Sequence, residues 1–209
     1  MIVVLEGLPL SGKTTLIKKL IYYYSNIGYK CKYCSHGHLT NSKLSHQFYK
    51  IATDYLNSLN LVDINNKVKM KKYIALGFQS LEEDIKIFNN SENIDIYFLD
   101  RHFLGQYVIA QYYSINYSEY SFLDDYIQFV LYTNYHETKR REKLRNDNHG
   151  KLTDYILSNE KIFNKFQILY EQNALKKKEK IYFIDNNDFS AIKEIITILN
   201  QEIKRGIKL

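Results

Sequence analysis

The amino-acid sequence predicts a three-layer α/β fold, a five-stranded parallel sheet with helices on both faces. Three observations predict it. Five short apolar runs lack polar alternation, as strands covered on both faces do. Longer stretches of helical period separate them. The 209 residues, 45% hydrophobic and 25% charged, suffice for a single domain whose core needs no disulfide or metal.

Ile2-Val3-Val4-Leu5 reads as the first buried strand, and residues 14–27 as the helix that follows it. A weaker strand at 31–35 precedes helices at 43–59 and 65–88. Ile94-Asp95-Ile96-Tyr97-Phe98-Leu99 is a strong strand, followed by a helix at 103–113. A strand at 126–132 and a helix at 136–145 come next. One long helix is expected over 153–177, a fifth strand at Ile181-Tyr182-Phe183-Ile184, and a last helix at 189–204. Such alternation calls for right-handed crossovers and places ligand loops at the carboxyl ends of the strands. With 20 Tyr, 11 Phe and no Trp, the ring area of the core must be phenolic and phenylic, and a single Pro forces few helix breaks.

The formal charge of +6 is spread as lysines along the chain, a diffuse field that draws small anions rather than a stripe for a nucleic acid polymer. No apolar stretch approaches the roughly 20 residues that span a bilayer, and Glu6 and Gly7 interrupt the first apolar run before a signal peptide could be completed. A cytoplasmic protein with no membrane partner is expected. Cys31, Cys34, His36 and His38 invite a zinc reading, but strand positions three apart project to opposite faces. The simpler expectation is two free cysteines leading into a substrate-side loop, where His36 or His38 meets a substrate phosphate or hydroxyl.

Gly7-Leu8-Pro9-Leu10-Ser11-Gly12-Lys13-Thr14 satisfies G-x-x-x-x-G-K-[ST] in the context that gives the motif its mechanism, after a buried strand and at the start of a helix. Main-chain N–H groups converge on phosphate oxygens there, Lys13 bridges the outer phosphates, and the Thr14 hydroxyl is a ligand for Mg2+. The donor site is assigned to residues 7–14 and the adjacent Thr15, with a nucleoside triphosphate, ATP, as its ligand. Asp100 ends the third strand where a carboxylate holds Mg2+ beside the loop threonine. Arg101 follows it with a guanidinium whose fork suits a substrate phosphate. These residues imply a P-loop nucleoside triphosphate hydrolase fold.

The chain resembles the thymidylate kinase-like and deoxynucleoside kinase-like group of P-loop kinases over almost its whole length. The resemblance rests on Leu5-Glu6-Gly7 leading into Ser11-Gly12-Lys13-Thr14-Thr15, on Leu99-Asp100-Arg101-His102 before Ala110-Gln111-Tyr112, on the Arg-rich segment near residue 141, and on the closing Ile184-Asp185. Asp100-Arg101-His102 is similar to that group's Asp-Arg-Tyr signature, with His in place of Tyr. The resemblance implies transfer of the γ-phosphoryl group of ATP to a nucleoside or nucleoside monophosphate, and a homodimer.

The phosphate loop carries no Arg between residues 8 and 10, so a cation acting on the moving phosphoryl group must come from elsewhere. Arg141 and Arg145 are spaced for one helix face, in a charged segment expected to form a mobile lid over about 139–152. Phe78-Gln79 resembles the stretch with which deoxynucleoside kinases stack and hydrogen-bond a base. The catalytic Glu that nucleoside kinases of the group place after the second strand is not found in Ser35-His36-Gly37-His38. A phosphate acceptor needs no strong base, so this departure favours a nucleoside monophosphate such as dTMP. The alternatives are a deoxynucleoside kinase acting on a 5'-hydroxyl, and a regulatory nucleotide-binding protein with no acceptor.

Overall fold

The computed structural model describes residues 1–88, 93–116, 126–145, 150–176, 180–188 and 190–206. Its elements are β1 (Ile2–Gly7), α1 (Lys13–Asn26), β2 (Cys31–Cys34), a 3-10 turn (Ser35–Gly37), α2 (Lys43–Ser58), α3 (Leu61–Ile64), α4 (Lys67–Ile87), β3 (Ile96–Asp100), α5 (Phe103–Tyr112), β4 (Tyr126–Tyr132), α6 (Tyr135–Lys143), α7 (Lys151–Leu157), α8 (Glu160–Leu175), β5 (Ile181–Asp185) and α9 (Ala191–Gly206). The strands form one sheet in the order β2-β3-β1-β4-β5, and every neighbouring pair is parallel.

The side-chain period of two in β1 divides the core. Val3 and Leu5 pack with Leu16, Ile17 and Leu20 of α1 and with Ile195 and Leu199 of α9. Ile2 and Val4 point to the other face, among Tyr97, Leu99 and Tyr126. Beyond that face α4, α5, α7 and α8 build a second, larger core around Phe78, Phe103, Phe163 and Phe166. Each of these rings is at most 1% exposed, and burial on that scale stabilises the fold by about 1.5–3 kcal/mol per side chain. Cys31 packs on the α1 face and Cys34 on the opposite one, and neither forms a disulfide.

Two expected elements differ. The single helix over 153–177 is divided into α7 and α8, because Asn159 leaves helical geometry and its side chain accepts from Lys161 N at 2.8 Å, capping a new helix. The loop between the second and third expected helices contains the short α3, capped by Asn60, which accepts from Asp63 N at 2.8 Å. Residues 146–149 of the expected lid lie outside the described residues, as do residues 177 and 189 at the ends of two expected helices. Among the described residues no helix is long and apolar enough to cross a membrane.

Candidate active site

β1 delivers the chain into the phosphate loop through backbone conformations that only certain residues adopt. Gly7 has φ 133° and Gly12 φ 92°. A Cβ on Gly7 would stand 2.6 Å from the carbonyl oxygen of Leu131, and one on Gly12 would press on the Asn186 amide. Asn186, just beyond β5, ties the loop to the sheet: its Nδ2 donates to Ser11 O at 2.6 Å and its N–H to Tyr132 O at 2.8 Å. Lys13 opens α1 and curls its Nζ over the loop, donating to Gly7 O at 3.0 Å, Leu8 O at 2.7 Å and Ser11 Oγ at 3.1 Å. Burial, with repulsion from Arg101, pulls its pKa down to about 7. The ammonium is therefore costly to keep until an anion faces it.

Parallel pairing of β1 with β3 sets Leu5 beside Asp100. The Thr14 hydroxyl donates to Asp100 Oδ2, and the Tyr33 hydroxyl to the same oxygen at 3.3 Å. This cluster of hard oxygens is of the kind that could hold Mg2+, with Thr14 and Asp100 as the candidate ligands. Among the described residues no group of three or more His, Cys, Asp or Glu could hold a metal ion. The donor set thus suits an ion that arrives with phosphates rather than one caged by protein.

Arg101 follows Asp100 with a left-handed φ of 71° and lines a cleft of about 790 Å3 that also includes the phosphate loop, Arg141 and Arg145. Arg141 on α6 is held in place. Its Nε donates to Glu137 Oε1 at 2.8 Å, one terminal nitrogen to Leu10 O at 3.2 Å and the other to Asn186 O. Arg140 donates to the same Glu137, which the two guanidiniums hold down at about 2. Within the expected lid, Arg141 therefore braces the donor loop from an ordered helix.

The rest of the cleft is walled by the 3-10 turn, α2, α4, α5, α7 and α8. His36, at φ 57°, stacks on Tyr49 at 4.5 Å, with Nδ1 2.8 Å from its hydroxyl. Burial lowers the pKa of His36 in the turn and of His38 just after it, the latter to about 4. His38 Nε2 lies 2.8 Å from Ser80 Oγ, and Ser45 and Ser80 exchange hydroxyl-to-carbonyl bonds at 2.7 and 2.8 Å across α2 and α4. Buried Asp84 accepts from Leu39 N at 2.5 Å and Thr40 N at 3.0 Å, which fixes the loop after the turn.

The structure corrects one pair of candidate residues. Phe78 is 1% exposed and packs against Phe103 and Tyr107, while Gln79 is exposed on α4 away from the cleft. The α4 residues that line it are Tyr73, Gly77, Ser80 and Leu81. They share a face by helical period, and that face lies away from Gln79. The polar group the sequence reading missed there is Gln106 of α5, also in the cleft lining. It lies so close to α4 that a Cβ on Gly77 would stand 2.7 Å from its Nε2. Its Oε1 is buried without a hydrogen-bond partner among the described residues. The small residue at position 77 is the signal that could have located it.

The fold and this site together define a three-layer α/β architecture with a phosphate-binding loop at the end of β1. Two of the solved structures similar to this chain illustrate it. One is a thymidylate kinase from Ehrlichia chaffeensis, with 15% sequence identity and a TM-score of 0.52, covering 96% of this chain and 98% of that one. The other is a deoxyadenosine kinase from M. mycoides with the products dCMP and dCDP bound, with 16% identity and a TM-score of 0.57, covering 96% of this chain and 100% of that one. No family model and no curated protein sequence matches the chain. The fold is thus common to these kinases, and the activity must be argued from the residues of the cleft.

Proposed function

We propose that the chain transfers the terminal phosphoryl group of ATP, with Mg2+, to a nucleoside monophosphate, an activity of thymidylate kinase type. The observation that carries this reading is Arg101, fixed in a left-handed turn beside Asp100 and lining the cleft. A planar fork of permanent charge suits an acceptor that bears a phosphate. Asp100 is the only carboxylate among the described residues of the cleft, and it is engaged by Thr14 and Tyr33. A phosphate oxygen is already anionic at neutral pH and needs no base to take a proton from it.

In this reading the loop amides and Lys13 grip the triphosphate tail, and Thr14 and Asp100 hold the cation. Bound there, Mg2+ supplies neutralising charge to the phosphate oxygens. Arg141, with Arg145 nearby in the cleft, adds positive charge beside the loop, and closure of the Arg-rich segment excludes water. Two cysteines outside any disulfide fit the reducing cytoplasm inferred from the sequence.

A second reading, a nucleoside acceptor, is favoured by His36. It follows the carboxyl end of β2 and lines the cleft, where an imidazole nitrogen can receive a hydroxyl proton. The two structural neighbours are named for a nucleotide and a nucleoside, so the fold serves either acceptor.

Release of ADP from ATP-Mg2+ across a panel of nucleosides and nucleoside monophosphates separates these readings. The expected result is release that depends on a deoxynucleoside monophosphate. Dependence on a nucleoside moves the assignment to the second reading, and equal release with and without every acceptor ends the kinase assignment. Replacing Gln106 by alanine is expected to change the preference between two bases by about tenfold, because a buried amide left to face the acceptor discriminates by hydrogen bonding. Gln79→Ala is expected to leave that preference unchanged. Steady-state competition between two monophosphates measures both, and an unaltered profile in the Gln106 variant would take it out of the site.

A further inference from the structure

Helix α5 begins directly after Asp100, Arg101 and His102, and its N-cap residue, His102, offers it no side-chain cap. The amide donors of that first turn need an acceptor from elsewhere. Glu6 of β1 supplies one: its Oε1 accepts from His102 N at 2.7 Å and from Gly105 N at 3.4 Å. The carboxyl group is wholly buried. A residue with no Cβ stands where one would reach within 3.4 Å of Glu6 Oε2 and 3.2 Å of the Tyr170 hydroxyl, so Gly105 keeps the space this arrangement requires.

Arg101 lies between two anchors that both belong to β1. Its own N–H donates to Leu5 O at 2.9 Å, and the next N–H, of His102, goes to Glu6. The residue between them keeps a left-handed φ of 71°, which an L-residue holds only when its surroundings over-determine it. Gly7, the first residue of the phosphate loop, is next in the chain after Glu6.

We propose that Glu6 is a positioning residue for Arg101: by capping α5 from β1 it fixes the turn from which Arg101 enters the cleft, and so ties acceptor binding to the strand that carries the donor loop. The proposal rests on the preceding assignment of Arg101 to the acceptor.

Two variants separate reach from charge. Glu6→Gln keeps the length and the accepting oxygen, whereas Glu6→Asp keeps the charge and withdraws it by one methylene. The amide exchange of His102 and Gly105 reports the cap whether or not the protein has an acceptor. It is expected to quicken by about tenfold or more in Glu6→Asp and to stay near wild type in Glu6→Gln. The acceptor KM is expected to rise about tenfold in Glu6→Asp, with the KM for ATP within about twofold, and to be restored in Glu6→Gln. In an Arg101→Ala background the Glu6→Asp effect on acceptor KM should disappear. Unchanged exchange in Glu6→Asp, or effects of the two substitutions that simply add, would overturn the proposal. A wild-type protein that turns over no acceptor would instead refute the assigned activity, and the exchange rates would still decide whether the cap exists.

Discussion

Under the proposed function, Lys13→Ala is expected to lower turnover by about 10²–10³-fold, since it removes an ammonium held over the loop that would face the charge developing during transfer. The same side chain is a liability to the ligand-free fold. Its folded pKa is about 7, against an ordinary 10.5, because burial disfavours the ammonium. Between those values the unfolded chain binds the proton and the folded one does not, so this contribution to stability rises with pH from 7 to 10.5. At neutral pH and below, the buried charge costs on the order of a few kcal/mol. Glu6 has the opposite slope. Burial lifts its pKa from 4.5 to about 7, so its contribution falls as pH rises across that interval. Together the two groups contribute least near pH 7. Lys13→Met should therefore melt above wild type at pH 7 without nucleotide, with the gain fading toward pH 10. Calorimetric melts across that range test it, and wild-type turnover in either Lys13 variant would detach the loop from the chemistry.

Arg141→Lys is expected to lose about 10²–10³-fold in turnover, nearly as much as Arg141→Ala. A lysine is a compact point charge and cannot reach Glu137, Leu10 O and Asn186 O at once, as the guanidinium does. Steady-state kinetics with saturating ATP, alongside titration of ATP binding, check the result. A drop in turnover that exceeds the loss of ATP affinity assigns Arg141 to the moving phosphoryl group. A loss confined to affinity reduces it to a brace for the loop.

The backbone form of the phosphate loop was legible because its geometry is local. Gly7, Gly12, Lys13 and Thr14 lie within one turn, and their spacing after a buried strand leaves a single arrangement that works. Asp100 was legible for a related reason, since a carboxylate ending a strand next to β1 must point toward that turn. Asn186 could not be read in this way. Its role depends on β4 and β5 standing side by side, which nothing within its own segment specifies. The acceptor wall failed at the phase of α4. Neighbours in a helix lie about 100° apart, and α4 is apolar on more than one side because α2 and α5 both pack on it, so the pattern did not say which stripe faces the cleft. The division of α7 from α8 was present as Ser158-Asn159-Glu160, a start signal that the longer apolar rhythm obscured.

The direct pairing of β1 with β3 has a thermal consequence. The strand that leads into the phosphate loop and the strand that leads into Arg101 are immediate neighbours in the middle of the sheet, at a strand spacing of about 4.8 Å. Fraying of the outer helices on warming leaves that gap untouched. Inactivation should then coincide with cooperative melting of the whole sheet rather than precede it.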